Sequence, residues 1–408
     1  MVAIVFSLIA LANASLSFDQ ALTKIAEQSP TFKNQKEKVS YQESDRLSKV
    51  MSFLPSLSAS YGKDHSFNSD LDSYSSTIAL SANLFKGGAD YSSASSSFSL
   101  LDSERKQLSQ SEIESQAAAL NLLVNYILSS KKVSIVNELL SIQKSSLDIS
   151  QKRYARGLIP KQEMEKAEVD VYNSEARLMN AQMELETYKK QVESYLAQDK
   201  VKIDWPYTKG LLDGRSWPKV EESHSRRDLE SLKSYVSSLE SVHNARYGAF
   251  LPQVDLVYRM VNSSVESGFF ADSGVEDKVL SINFTWTLFN GFRDRAALAQ
   301  SRYYLEESRN RLIDLEREVT ASRKTKGIVF NTALDSLRKR LKTLELSRRI
   351  YRQSIRRFQE GKLSFNDLEI DQNRYLETEL LAQEGEAQVH RTLADYCSEY
   401  GLTILSCL

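Results

Sequence analysis

The sequence predicts a mainly α-helical protein with a membrane β-barrel part, laid out as two copies of one strand–loop–strand–long-helix unit. Three observations carry the prediction. First, the same landmarks recur about 200 residues apart, the mark of a repeated unit. Phe53-Leu54-Pro55 and Phe250-Leu251-Pro252 each precede a strand, and Leu84-Phe85-Lys86-Gly87 and Leu288-Phe289-Asn290-Gly291 each follow one. Gly157 and Gly361 each close a long helix. Second, four short segments alternate apolar and polar side chains. Third, two long segments run without proline, in a chain holding only 14 Gly and 6 Pro.

The chain has 408 residues, 26% of them charged, with a formal net charge of −1. Its mean hydropathy is −0.41. That profile excludes disordered, collagen-like and disulfide-scaffold classes and suits long solvated helices. A near-neutral balance gives no electrostatic footprint for nucleic acid. Cys397 and Cys407 stand close together near the end; they form one small-loop disulfide in an oxidising compartment or stay unpaired, and sequence alone does not choose. At the other end, residues 2–11 are almost all apolar, and Ala12-Asn13-Ala14 gives a small-x-small cleavage pattern before Ser15. Residues 1–14 therefore read as a signal peptide, too short to span a bilayer. An apolar first helix is the alternative.

In the last of the four strands, Leu280, Ile282, Phe284, Trp286 and Leu288 fall on one face, with Ser281, Asn283, Thr285 and Thr287 on the other. Its counterpart sets Ile78, Leu80, Ala82 and Leu84 against Thr77, Ser81 and Asn83. The first strand of each copy alternates as well. Leu57, Ala59 and Tyr61 oppose serines, and Val254, Leu256, Tyr258 and Met260 oppose Asp255 and Arg259. Strands are expected at about 54–61, 76–85, 252–261 and 279–289, each near the length that crosses a bilayer at the usual tilt. Polar loops 62–73 and 262–278 separate them. A two-faced hairpin over a soluble core has the same pattern, but no other strands lie nearby to build that core. Backbone groups cannot stay unpaired in hydrocarbon, and four strands cannot close a barrel, so several copies must pool their strands.

The long helices follow Gly88 and Gly291. Leu334, Leu337, Leu341 and Leu344, then Tyr351, Ile355 and Phe358, form a heptad-like stripe. Leu120, Leu123 and Ile127, then Val133, Val136 and Leu140, do likewise in the first copy. The basic run from Arg338 to Arg357 reads as a solvated face or a docking surface. Gly157 and Gly361 suit left-handed C-caps where the chain reverses. Pro160 suits the first turn of one returning helix, and Ser364 the N-cap of the other. The returns run to about Gln198 and Tyr400. Domain bounds follow: residues 15–199 form the first repeat, 200–225 an interrepeat segment, 226–400 the second repeat and 401–408 a tail.

With Leu16-Ser17-Phe18-Asp19-Gln20-Ala21-Leu22, the paired strand entries and exits, and the tip motifs Arg153-Tyr154-Ala155-Arg156-Gly157-Leu158 and Arg357-Phe358-Gln359-Glu360-Gly361, the chain resembles the TolC-like outer-membrane efflux proteins. The resemblance covers essentially the whole mature chain. It implies a homotrimer in which a twelve-stranded outer-membrane barrel continues into a periplasmic helical tunnel. A mixed belt would comprise residues 16–28, 200–222 (with Trp205, Pro206, Trp217 and Pro218) and the tail. It implies a passive duct of a tripartite efflux or type I secretion system, taking substrate from an inner-membrane pump through a periplasmic adaptor. The adaptor would dock on tips built from Arg153, Tyr154, Gly157, Leu158, Arg357, Phe358 and Gly361. In the family, acidic residues just past the second tip line a constriction. Asp367 matches the first position; the second holds Ile370, a departure, flanked by Glu369 and Asp371. Asp367 and Asp371 share a helix face at i, i+4, and three-fold symmetry turns each inward carboxylate into a cation-attracting ring. Acids in a first helical turn also simply complement its dipole.

His65, His224, His243 and His390 are scattered without metal-ligand spacing, and no phosphate loop, dinucleotide fingerprint or nucleophile elbow occurs. No enzyme and no cofactor are expected. A structural or adhesive coiled-coil protein of the envelope is the alternative function; it explains the helices but leaves the alternating strands and the repeat without a role.

Overall fold

A computed structural model describes residues 16–67, 71–196, 203, 224–272 and 274–407. The expected signal peptide and nearly all of the belt segment 200–222 lie outside them. The described residues divide into two compact units. One takes those of Gln35–Leu108 and Arg227–Arg317, the other those of Met1–Asn34, Ser109–Arg226 and Glu318–Leu408.

The first unit holds the sheet. Helix α1 (Phe18–Gln28) belongs to the other unit, and α2 (Pro30–Met51) leads toward β1 (Ser56–Ser66) and β2 (Leu71–Lys86). Helix α3 (Ala89–Ala155) and its return α4 (Lys161–Leu196) follow. The order then recurs: α5 (Arg227–Tyr247), β3 (Gln253–Ser264), β4 (Val275–Thr285), α6 (Arg293–Gln359) and α7 (Phe365–Ser398), with a short α8 (Ile404–Cys407) last. Helices α3 and α6 each have 67 residues.

All four strands form one antiparallel sheet in the order β1-β2-β3-β4. Its register collects the alternating apolar residues on a single face. Leu57, Leu80, Tyr258 and Leu280 stand in one row, and Ala59, Ile78 and Met260 in the next. Ala82, Leu256 and Ile282 form a third row. A bulge between Asn83 and Phe85 then shifts the pairing. Phe85, not the expected Leu84, stands opposite Val254, which faces Phe284.

Strand boundaries differ from the sequence pattern at both ends of the sheet. The expected loops 62–73 and 262–278 are shorter, because pairing continues above the apolar rows through Lys63↔Tyr74, His65↔Asp72 and Asn262↔Glu276. Backbone ladders need paired amides, not apolar side chains, and Asp72 helps by binding Lys63 and His65, each at 2.8 Å. At the other end β4 stops at Thr285 rather than near 289. There the Trp286 indole N–H donates to the Phe250 carbonyl at 3.2 Å, so Trp286 and Leu288 lie past the ladder.

The second unit is helical. Ser17 opens α1 with a reciprocal capping box: its hydroxyl accepts from Gln20 N–H and its own N–H donates to the Gln20 side chain. Phe18, Ala21, Leu22, Ile25 and Ala26 recur at helical spacing and pack with Leu120, Leu123, Ile127, Val192 and Ile404. The second-copy stripe buries Phe330, Leu334 and Leu337 against Val389 and Leu393, then Tyr351 and Phe358 against Leu368, Tyr375 and Leu376. Each such side chain contributes roughly 1.5–3 kcal/mol when fully buried. Cys397 and Cys407 form a disulfide with Cα atoms 6.0 Å apart, which resolves the pairing that sequence left open. It staples α8 to the end of α7, where Ile404 N–H also donates to the Gln116 side chain at 3.2 Å.

Candidate functional site

The helix reversals are built alike. In the first, Gly157 takes φ +70°, its N–H donates to Tyr154 O at 2.8 Å, and Leu158 N–H reaches back to Arg153 O at 3.0 Å. In the second, Gly361 takes φ +74°, its N–H donates to Phe358 O, and Lys362 N–H to Arg357 O at 2.8 Å. Both are Schellman closures, and the left-handed residue in each is the glycine the sequence pattern placed there. A Cβ on Gly157 meets nothing within 4 Å. The need for glycine at that position is therefore backbone conformation alone.

The two reversals are tied to one another. Arg153, from the end of α3, donates through Nη2 to the Phe358 carbonyl at 2.7 Å. Its guanidinium carbon also lies 4.6 Å from the centre of the Phe358 ring. Phe358 is buried, in the same cluster as Leu368 and Tyr375. Of the expected docking residues, Arg153 and Phe358 thus hold the tips together. Tyr154, Gly157, Leu158, Arg357 and Gly361 are left exposed at the surface.

The acidic residues past the second tip do not form one group. Asp367 is exposed; its N–H donates to the N-cap hydroxyl of Ser364 at 3.2 Å, and its carboxylate accepts from that hydroxyl at 2.7 Å. Asp371 is occupied on the α6 side, accepting from Ser354 Oγ at 2.5 Å, with Arg374 at 3.6 Å. Glu369 instead lines a cavity of about 460 Å³ with Gln162, Glu165, Lys166, Val169 and Asp170 of α4. Burial raises the Glu369 carboxyl above its ordinary range, and Asp170 raises it further. Burial raises Asp170 too, against the pull of Arg177 and Lys166. Sequence reasoning missed Asp170, because only the meeting of α4 with α7 brings it to Glu369. Its lone signal was a carboxylate beside the buried Val171 on an otherwise amphipathic helix.

Four arginines of the basic run on α6 are matched within the chain. Arg338 pairs with Asp335 and Arg349 with Glu345. Arg340 donates to Leu381 O, and Arg348 meets both Glu379 and the Tyr375 hydroxyl. That is a solvated helix face.

On the sheet, Leu280, Ile282 and Phe284 are between 66% and 70% exposed, and Trp286 and Leu288 are open too. Leu57, in the row of Leu280 at the other edge of the sheet, is 72% exposed. So many exposed apolar side chains in register are a surface that water alone does not favour. Among the described residues β1 and β4 have one unpaired edge each. No described helix is long and apolar enough to cross a membrane, and no described group of His, Cys, Asp or Glu is placed to hold a metal ion.

The family model for outer membrane efflux proteins matches residues 21–198 and 221–395, most of the chain. Among solved structures, the outer membrane protein VceC of Vibrio cholerae superposes with a TM-score of 0.77 at 13% identity, covering 94% of this chain and 96% of that one. The CmeC outer membrane channel of Campylobacter jejuni gives 0.77 at 14% identity, with 94% and 86% covered. A membrane protein of Pseudomonas aeruginosa gives 0.78 at 13% identity, with 94% and 90% covered. No curated protein matches the chain in sequence.

Proposed function

Because the chain belongs to the outer membrane efflux protein family, and so to channels of the outer membrane with a large periplasmic helical part, we propose that three copies form the passive exit duct of a tripartite export assembly. The observation that carries this reading is the sheet: among the described residues it has four strands, one apolar face in register, and two unpaired edges. A single copy cannot satisfy those edges in hydrocarbon, whereas three copies supply twelve strands, an even number within the range of known barrels. In this reading β1 of each copy pairs antiparallel with β4 of the next. The two repeats supply the tunnel wall, and an inner-membrane pump supplies the energy through a periplasmic adaptor. Nothing in the duct makes or breaks a bond.

The tips divide their work. Arg153 and Phe358 fasten one hairpin to the other, while Tyr154, Leu158 and Arg357 present the surface an adaptor meets. Asp367 is the acid freest to face the constriction. Asp371 is engaged with Ser354, and Glu369 shares its cavity with Asp170. Purified protein in mild detergent should migrate as a heat-modifiable trimer and give ion conductance in planar bilayers. A monomer that stays dissolved without detergent and conducts nothing overturns the proposal. Within it, Asp367→Asn should weaken block by divalent cations severalfold; unchanged block removes Asp367 from the gate.

A further inference from the structure

The polar side chains on the apolar face of the sheet are not scattered. Apart from Lys278, beside Met260 on β4, they begin in the row above Ala59, Ile78 and Met260, with Ser76 and Asn262, and continue with Ser264. Alternation places all three on the face that carries Leu57, Leu80 and Leu280. A hydroxyl or amide turned into hydrocarbon without a partner is costly. Yet Ser76 is only 2% exposed and Asn262 only 7%. Residues 265–272, which follow β3, cover them.

It does so through specific bonds. Phe270 N–H donates to Ser76 Oγ at 3.3 Å, and the Asn262 amide donates to Ala271 O at 3.3 Å. Phe269 leans on Tyr61, with ring centres 6.3 Å apart, and Tyr61 stacks on Tyr74. Phe270 has φ +55°, uncommon for a bulky side chain. The close approach leaves no room at Gly274, where a Cβ would sit 2.0 Å from Asn262 Oδ1. Having buried the polar groups, the cover turns apolar side chains outward: Val265 is 71% exposed and Phe269 50%. Lys278, one row lower, directs its ammonium to Glu276 at 2.9 Å, level with Asn262, as a snorkelling lysine does at a membrane boundary.

We infer that residues 265–272, which follow β3, are folded down on the lipid side of the barrel as an interfacial anchor, with Phe269 and Val265 seated at the headgroup–acyl boundary of the outer leaflet. The inference rests on the barrel reading given above. Its occupant is lipid because the covered rows continue the exposed apolar row of Leu57, Leu80 and Leu280 through Ala59, Ile78 and Met260, with Lys278 the one charged side chain at that level. Aromatic side chains with polar partners also favour that depth.

The test uses the full-length protein in liposomes of phosphatidylethanolamine and phosphatidylglycerol. Nitroxide labels are placed by Phe269→Cys, Leu280→Cys or Arg156→Cys; the native cysteines are joined to one another and take no label. Collision with oxygen is compared with collision with a water-soluble nickel chelate. The expected oxygen-to-nickel ratio is severalfold higher at positions 280 and 269 than at 156, and greatest at 280. A lipid-like label at 280 with a water-like one at 269 overturns the anchor and leaves the barrel intact. A water-like label at 280 overturns the barrel reading itself. Adding Asn262→Ala to Phe269→Cys should bring the ratio at 269 down toward that at 156; an unchanged ratio shows that the polar ties do not seat the segment.

Discussion

His390 and Arg153 illustrate how much a single side chain can control in this molecule. Burial on α7 lowers the His390 pKa to about 4, against about 6.5 for a free histidine. Between those values the unfolded chain binds a proton that the folded chain refuses. Stability is therefore full above pH 6.5 and falls as pH drops toward 4, by about 3 kcal/mol across the window. The melting temperature should fall between about pH 7.5 and about pH 5, and His390→Gln should shrink that fall. Equal pH dependence in both proteins removes His390 as the cause. Arg153 works by attachment. Hydrogen bonds from charged groups are worth about 1.5–3 kcal/mol, so Arg153→Gln should loosen the tips and speed tryptic cleavage after Arg156 and Arg357 severalfold. Cleavage at the wild-type rate would mean the tie to Phe358 holds nothing.

At the scale of elements, the reversals and the C-terminal staple behave as separable parts. A β-branched residue at Gly157 or Gly361 faces a left-handed backbone costing roughly 1–2 kcal/mol. If the tips dock an adaptor as proposed, Gly157→Val should weaken coupling and export while trimers still assemble; normal export argues against the tips as docking sites. Reducing the disulfide frees α8 from α7, and a closed loop of this size contributes about 2–4 kcal/mol. Cys407→Ser should lower the melting temperature of the helical part and expose the Ile404 contact to hydrogen exchange. Most elements were legible beforehand for a plain reason: α3 and α6 begin and end at glycines, and their stripes keep heptad spacing. The strand ends were not, since Lys63, His65 and Asp72 pair through backbone and charge where the alternation had already faded. The bulge that exchanges Leu84 for Phe85 leaves no mark in composition. Asp170 stayed hidden because a partner from another helix gives it its setting, and no local pattern encodes that.

For the whole molecule, the decisive feature is that the sheet is unfinished. In the proposed duct, trimer assembly should follow membrane insertion closely, because a lone sheet in lipid leaves two rows of amides without partners. Mild-detergent gels of newly exported protein should contain trimers and few membrane-bound monomers. A large stable pool of inserted monomers would contradict shared closure. If each ring needs six sound edges from three chains, inheritance of a defect takes an uncommon form. When half the copies in a cell carry an edge that cannot pair, only about one ring in eight escapes, given random mixing in a closed three-fold assembly. A lesion in β1 or β4 then acts dominantly over a healthy copy of the gene.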